Sequence, residues 1–199
     1  MATRPQPFYT LDEYFALEKV GDARYEYWDG DIVCMSGGSP AHNRISGNIY
    51  YHVRSRLTGN CEAFTSDQAV KNHVATAPPY FYPDTTVACG ESQFEKVRGI
   101  STLLNPTVLV EVTSPESTEK LDRDFKLRLY RRIPTLQEYL IIAQDKVEIT
   151  RYLRQEQDEW LTERVMDLDA TIIIQSIGCR LVLRDVYANI DFSEQTENR

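Results

Sequence analysis

Thr107-Val108-Leu109-Val110-Glu111-Val112 is a nearly unbroken run of β-branched and aliphatic residues, the pattern of a central strand covered on both faces, and Glu111 interrupts it. An unpaired charge buried at such a position costs about 3–5 kcal/mol or more unless a partner or a metal ion compensates it. Glu111 is therefore a candidate for chemistry, with a buried salt bridge to a lysine or arginine as the alternative.

A second carboxylate, Asp84, follows Pro83 and precedes Thr85-Thr86-Val87, at the start of a strand that could pair beside the Glu111 strand. Two such acids can grip one hard cation, although Pro-Asp by itself also reads as a turn. After the Glu111 strand, Asp122, Lys126 and Tyr130 recur at four-residue spacing, so a helix places them on one flank. From there Lys126 can point toward the strand, or it can make a solvated pair with Asp122. Magnesium or manganese suits a few carboxylates plus water and a substrate phosphate, and a nearby lysine can orient or deprotonate the attacking water. The combination fits phosphodiester hydrolysis.

The elements that must hold these residues are readable in outline. Thr10-Leu11-Asp12-Glu13 is a capping box that starts a helix running to about Lys19. The Asp29-Gly30 pair between two β-prone runs marks a hairpin, with Glu26 and Trp28 on one face of its first strand. Ile45, Ile49, Val53 and Leu57 form the apolar stripe of a helix that packs on a sheet. Strands are expected over residues 62–71 and 80–88, separated by Pro78-Pro79, and a loop to about Pro106. Ser114-Pro115 ends the Glu111 strand, Ser117 caps a helix over residues 118–132 with Leu121, Phe125 and Leu129 inward, and Pro134 bars its continuation. Residues 138–143, 147–153, 160–165 and 180–183 complete a mixed α/β pattern, and residues 193–199 read as a polar tail.

Composition excludes several classes. The 199 residues, 42% hydrophobic, suffice for one domain over residues 1–192 without disulfides or a structural metal. No apolar run approaches a membrane span and no signal peptide is evident, which points to a cytoplasmic protein without a membrane partner. Cys34, Cys61, Cys89 and Cys179 lack zinc-site spacing and read as buried free thiols. Walker-type loops and Gly-x-Ser-x-Gly elbows are absent. A net charge of −8 disfavours tight unaided DNA binding, though cations at a metal site would cancel part of it locally.

Tyr25-Glu26-x-x-Asp29-Gly30, Ser39-x-x-His42, Pro83-Asp84-x-x-Val87, Glu111-Val112-x-Ser114-Pro115, Asp122-x-x-x-Lys126-x-x-x-Tyr130 and Glu138-Tyr139 occur in that order. In this the chain resembles the Uma2 family, formerly domain of unknown function 820, of the PD-(D/E)xK nuclease superfamily. The resemblance implies a restriction-endonuclease-like core, a central mixed β-sheet flanked by helices. It also implies a metal-dependent endonuclease using Mg2+ or Mn2+, held by Asp84, Glu111 and the Val112 carbonyl, with DNA as substrate and a homodimer as assembly. Thr113 occupies the usual lysine position of the superfamily; the resemblance implies that the lysine has moved to the helix, as Lys126. By the same resemblance Glu26 is an additional N-terminal acid, and His42, Asp122 and Tyr130 are auxiliary residues. A nuclease-fold binding or regulatory module, and a metal-dependent hydrolase of another phosphoester, are the competing functions.

Overall fold

The computed structural model describes residues 8–21, 23–28, 30–35, 37–72, 80–113 and 126–192. Asp29, Ser114, Pro115, Ser117, Asp122, the first part of the helix expected over residues 118–132, and the polar tail lie outside them.

Helix α1 (Leu11–Val20) begins with the expected capping box, in which Thr10 and Glu13 satisfy each other's backbone N–H groups. The hairpin β1 (Arg24–Trp28) and β2 (Asp31–Met35) turns at Gly30, whose φ of 107° suits a residue without a Cβ. Helix α2 (Pro40–Arg56), capped by Ser39, buries Ile45, Ile49 and Val53. Leu57 is extended rather than helical and terminates it.

Each of the next two expected strands is divided. Residues 62–71 become β3 (Cys61–Thr65) and β4 (Ala69–Lys71), and residues 80–88 become β5 (Tyr80–Phe81) and β6 (Thr85–Cys89). The breaks let one stretch of chain serve two sheets. The expected loop before Pro106 is instead a hairpin, β7 (Phe94–Val97) and β8 (Ile100–Leu103). Its two turn residues, Arg98 and Gly99, both have positive φ, the geometry of a tight hairpin turn that arginine does not advertise.

β9 (Val108–Thr113) is buried throughout and runs parallel to β10 (Glu138–Ala143). The connection between them ends in the short helix α3 (Leu127–Tyr130). Next come β11 (Ile149–Arg154), β12 (Trp160–Val165), β13 (Thr171–Ile174), β14 (Cys179–Val182) and the short helix α4 (Leu183–Val186). Strand β13 and helix α4 were not expected.

The strands form two mixed six-stranded sheets, in the orders β12-β11-β10-β9-β6-β3 and β2-β1-β5-β4-β8-β7, and a β13-β14 ribbon. The second sheet is an addition to the expected single central one. One face of the β9 sheet packs against α2, the ribbon and α4 through Val108, Val110, Val112, Leu140 and Ile142. Its other face meets α3 and the second sheet, where Leu109, Tyr139 and Ile141 contact Tyr130, Trp28, Val70 and Phe81. Mixed sheets flanked by helices are thus the architecture.

The cysteine expectation needs correction. Cys61 and Cys89 are directly opposite each other on β3 and β6 and form a disulfide. Cys34 is exposed, and only Cys179 is a buried free thiol. Strand register, which spacing along the chain does not reveal, brings the pair together. Among the described residues no helix is long and apolar enough to cross a membrane.

Candidate active site

Side chains alternate along β9, so burying Val110 and Val112 against α2 turns Glu111 toward the layer between the two sheets. Glu111 is 6% exposed there. Lys126, helical in backbone and immediately before α3, donates from Nζ to Glu111 Oε1 at 3.0 Å. One turn later Tyr130 donates its hydroxyl to the same oxygen at 2.7 Å. The four-residue spacing of Lys126 and Tyr130 delivers both donors from one helical face.

On the opposite side of the ammonium stands Glu26 of β1, with Oε2 3.2 Å from Lys126 Nζ. Glu26 is buried. It also accepts from Trp28 Nε1 at 2.9 Å and from the Tyr82 backbone N–H at 3.0 Å. The Lys126 ammonium lies 5.4 Å from the centre of the Trp28 ring, within cation–π range. Two carboxylates from different sheets thus converge on one ammonium. Burial, together with the charges of Glu111 and Glu26, pushes the Tyr130 phenol far above its ordinary pKa, so it remains a hydrogen-bond donor.

Asp84 approaches from the next strand. The β6–β9 register pairs Thr85 with Val110, and one further step sets Asp84 across from Glu111. The strand has not yet begun at Asp84, and its side chain does what a ladder carbonyl would do: Oδ2 accepts from the Val112 N–H at 2.7 Å. Oδ1 accepts from Ser46 Oγ at 3.2 Å and lies 3.3 Å from His42 Nε2.

His42 occupies the first turn of α2, where its backbone N–H donates to the Ser39 cap. Gly38 leaves room for the imidazole, because a Cβ there would stand 2.6 Å from Nδ1. Burial opposes the charged ring, but the hydrogen bond and charge of Asp84 and the Val112 backbone carbonyl hold its pKa above the usual histidine value.

The residues expected from sequence thus fall into two neighbouring groups. Glu26, Glu111, Lys126 and Tyr130 form a buried ionic cluster, and Asp84, His42 and the Val112 backbone form a less buried one. Asp122 lies outside the described residues. Among the described residues no three His, Cys, Asp or Glu side chains are grouped as a metal site. Three contributors escaped sequence reasoning. Ser46 lies four residues after His42, a helical spacing that could have marked it, and Trp28 was placed on the Glu26 face without a role. The Tyr82 N–H carries no sequence signal.

Comparison with known proteins places the chain in a family and a fold. An uncharacterized Synechocystis sp. protein, slr1290, is 33% identical over 94% of this chain and 96% of its own. A second, sll1609, is 31% identical over 82% of this chain and 90% of its own. The fold is shared with the crystal structure of a "putative nuclease belonging to DUF820" from Anabaena variabilis, at a TM-score of 0.70 and 19% identity, covering 90% of this chain and 98% of that one. The family model of Uma2, described as "Putative restriction endonuclease", matches residues 11–184. The chain therefore belongs to the Uma2 family.

Proposed function

We propose that this protein is a divalent-metal-dependent endonuclease that hydrolyses phosphodiester bonds of DNA. The observation that carries the reading is the Lys126 ammonium, buried between Glu26 of β1 and Glu111 of β9, the strand whose Val112 N–H also anchors Asp84. Asp84, Glu111 and the Val112 carbonyl are the proposed holders of Mg2+ or Mn2+. Asp84 lies across from Glu111 in the extended β6–β9 register and accepts from the Val112 N–H, so carboxylate and carbonyl oxygens, the donors these ions take, come from neighbouring backbone segments. When bound, such an ion polarises a phosphoryl oxygen and acidifies a coordinated water.

The chain's own residues do the rest. Lys126 supplies a positive charge for the attacking water and for the charge that develops on the phosphate. Glu26 and Glu111 fix its position, Tyr130 orients Glu111 through a proton it does not release, and His42 with Ser46 holds the Asp84 carboxylate. A homodimer is the proposed assembly, since two sites cut both strands of a duplex.

Plasmid nicking with Mg2+ or Mn2+ tests the proposal. Asp84→Ala and Lys126→Met, each confirmed as folded by circular dichroism, should lose about 10²–10⁴-fold in rate, the usual contribution of a positioned proton-transfer or charge-stabilising group. Wild-type cleavage by both folded variants refutes the site. One observation favours a second reading, a non-hydrolytic binding or regulatory module: Lys126 already compensates Glu111, as an ordinary buried salt bridge would. Calorimetry separates the two, because failure of the folded wild type to bind Mn2+ decides for the module. Cleavage of other phosphoesters but not DNA would instead reassign the substrate.

A further inference from the structure

The chain is acidic, with a net charge of −8, yet α2 contains no aspartate or glutamate over its 17 residues. It contains Arg44, Arg54 and Arg56, and two histidines. An acid-free basic helix in an acidic protein is a local inversion of charge that packing does not require, because the inward stripe of Ile45, Ile49 and Val53 already docks the helix.

The outward face has an order of its own. Arg44, Gly47, Tyr51 and Arg54 follow one another at spacings of three and four residues, the period that keeps them on one side. All four are exposed, Tyr51 at 65%. Arg44 and Arg54 have no hydrogen-bond or ion-pair partner among the described residues. Arg56 is different, since it lies 3.5 Å from Asp185 and is tied to His52. Between the two unpaired arginines Gly47 opens the surface, with no atom within 4 Å of where its Cβ would be. At about 1.5 Å per residue, Arg44 and Arg54 stand roughly 15 Å apart along the axis, comparable to the ~12 Å width of the major groove of DNA.

The same helix carries His42 and Ser46 against Asp84 at its first turns. Arg44, where the outer stripe begins, lies between these two in sequence and on the opposite side of the helix.

We propose that the outer face of α2 is the surface on which the protein holds the phosphate backbone of duplex DNA, with Arg44 and Arg54 as the phosphate contacts and Gly47 as the point of close approach. This rests on the DNA-endonuclease reading and adds to it the element that overcomes the repulsion between an acidic protein and a polyanion. Tyr51 supplies an exposed aromatic surface beside the backbone.

The test is fluorescence anisotropy of the full chain with a labelled duplex across a range of salt concentrations, with Ca2+ replacing Mg2+ to hold off cleavage. Each phosphate contact adds about 0.9 to the slope of log affinity against log salt. Replacing both arginines, Arg44→Ala with Arg54→Ala, should lower that slope by about 2. Arg44→Lys with Arg54→Lys should retain it.

An unchanged slope in the alanine variant overturns the proposal, and so does a wild type that binds no duplex. It is equally overturned if sedimentation shows a dimer that Gly47→Arg dissociates, which would make this face a contact between two copies. The nuclease reading fails separately. Loss of duplex binding in the arginine variant stands whether or not Lys126→Met still cleaves, and full cleavage with an unchanged salt slope removes only the role of α2.

Discussion

The two faces of β9 use the same backbone for opposite purposes. Val108, Val110 and Val112 meet α2, the β13-β14 ribbon and α4 in an aliphatic layer. One residue out of step, Leu109 and Glu111 face the layer between the sheets, where tyrosines, Trp28 and the Glu26–Lys126–Glu111 cluster gather. The first face is held by volume, and a smaller side chain there loses contacts in proportion to its size. The second is held by pairing, and removal of one partner exposes the full desolvation penalty of the other. An ionic cluster where an aliphatic one would pack calls for a reason other than stability.

The sharpest way to break this contrast is Lys126→Ala. It leaves two buried carboxylates around a missing charge and should cost about 3–5 kcal/mol in urea unfolding. Combining Lys126→Met with Glu111→Gln should recover much of that loss, and a single variant as stable as wild type would show that pairing is not what holds this face.

On the aliphatic side, Ile49→Val should cost only about 0.5–1.5 kcal/mol by the same measurement. A penalty as large as that of Lys126→Ala would erase the distinction between the faces.

The smallest effect concerns an acid at the end of the aliphatic face. Glu138, opposite Val108 in the β9–β10 register, is fully buried and caps the turn of residues 175–177 by accepting from the Gln175 and Ser176 N–H groups. Burial raises its carboxyl above the usual range, against the lowering effects of those donors and of Arg151. Its folded form therefore binds the proton more tightly than the unfolded chain does. That contribution to stability is complete below the unfolded pKa and is lost as pH rises through the folded one. Glu138→Gln should flatten this decline in thermal melts taken from acid toward neutral pH; an unaltered pH profile would assign it to other groups.

The sequence by itself determined those features that short-range chemistry controls. The capping box of α1, the Asp-Gly hairpin, the α2 stripe and the buried β9 run are each set within a few residues, by hydrogen-bond geometry or by side-chain period. Glu111 was legible for the same reason, as a charge in an apolar run. The tertiary structure alone decided what depends on register and on distant partners. It joined Cys61 to Cys89, separated two expected strands into four, and turned a supposed loop into the β7–β8 hairpin. It also set Glu26 of β1 beside Lys126, 100 positions along the chain, and brought Ser46 to Asp84. No local pattern encodes such meetings, because they follow from which strands pair and which layers stack. The sequence thus named the charged residues, and the fold decided that Lys126 would stand between Glu111 and Glu26.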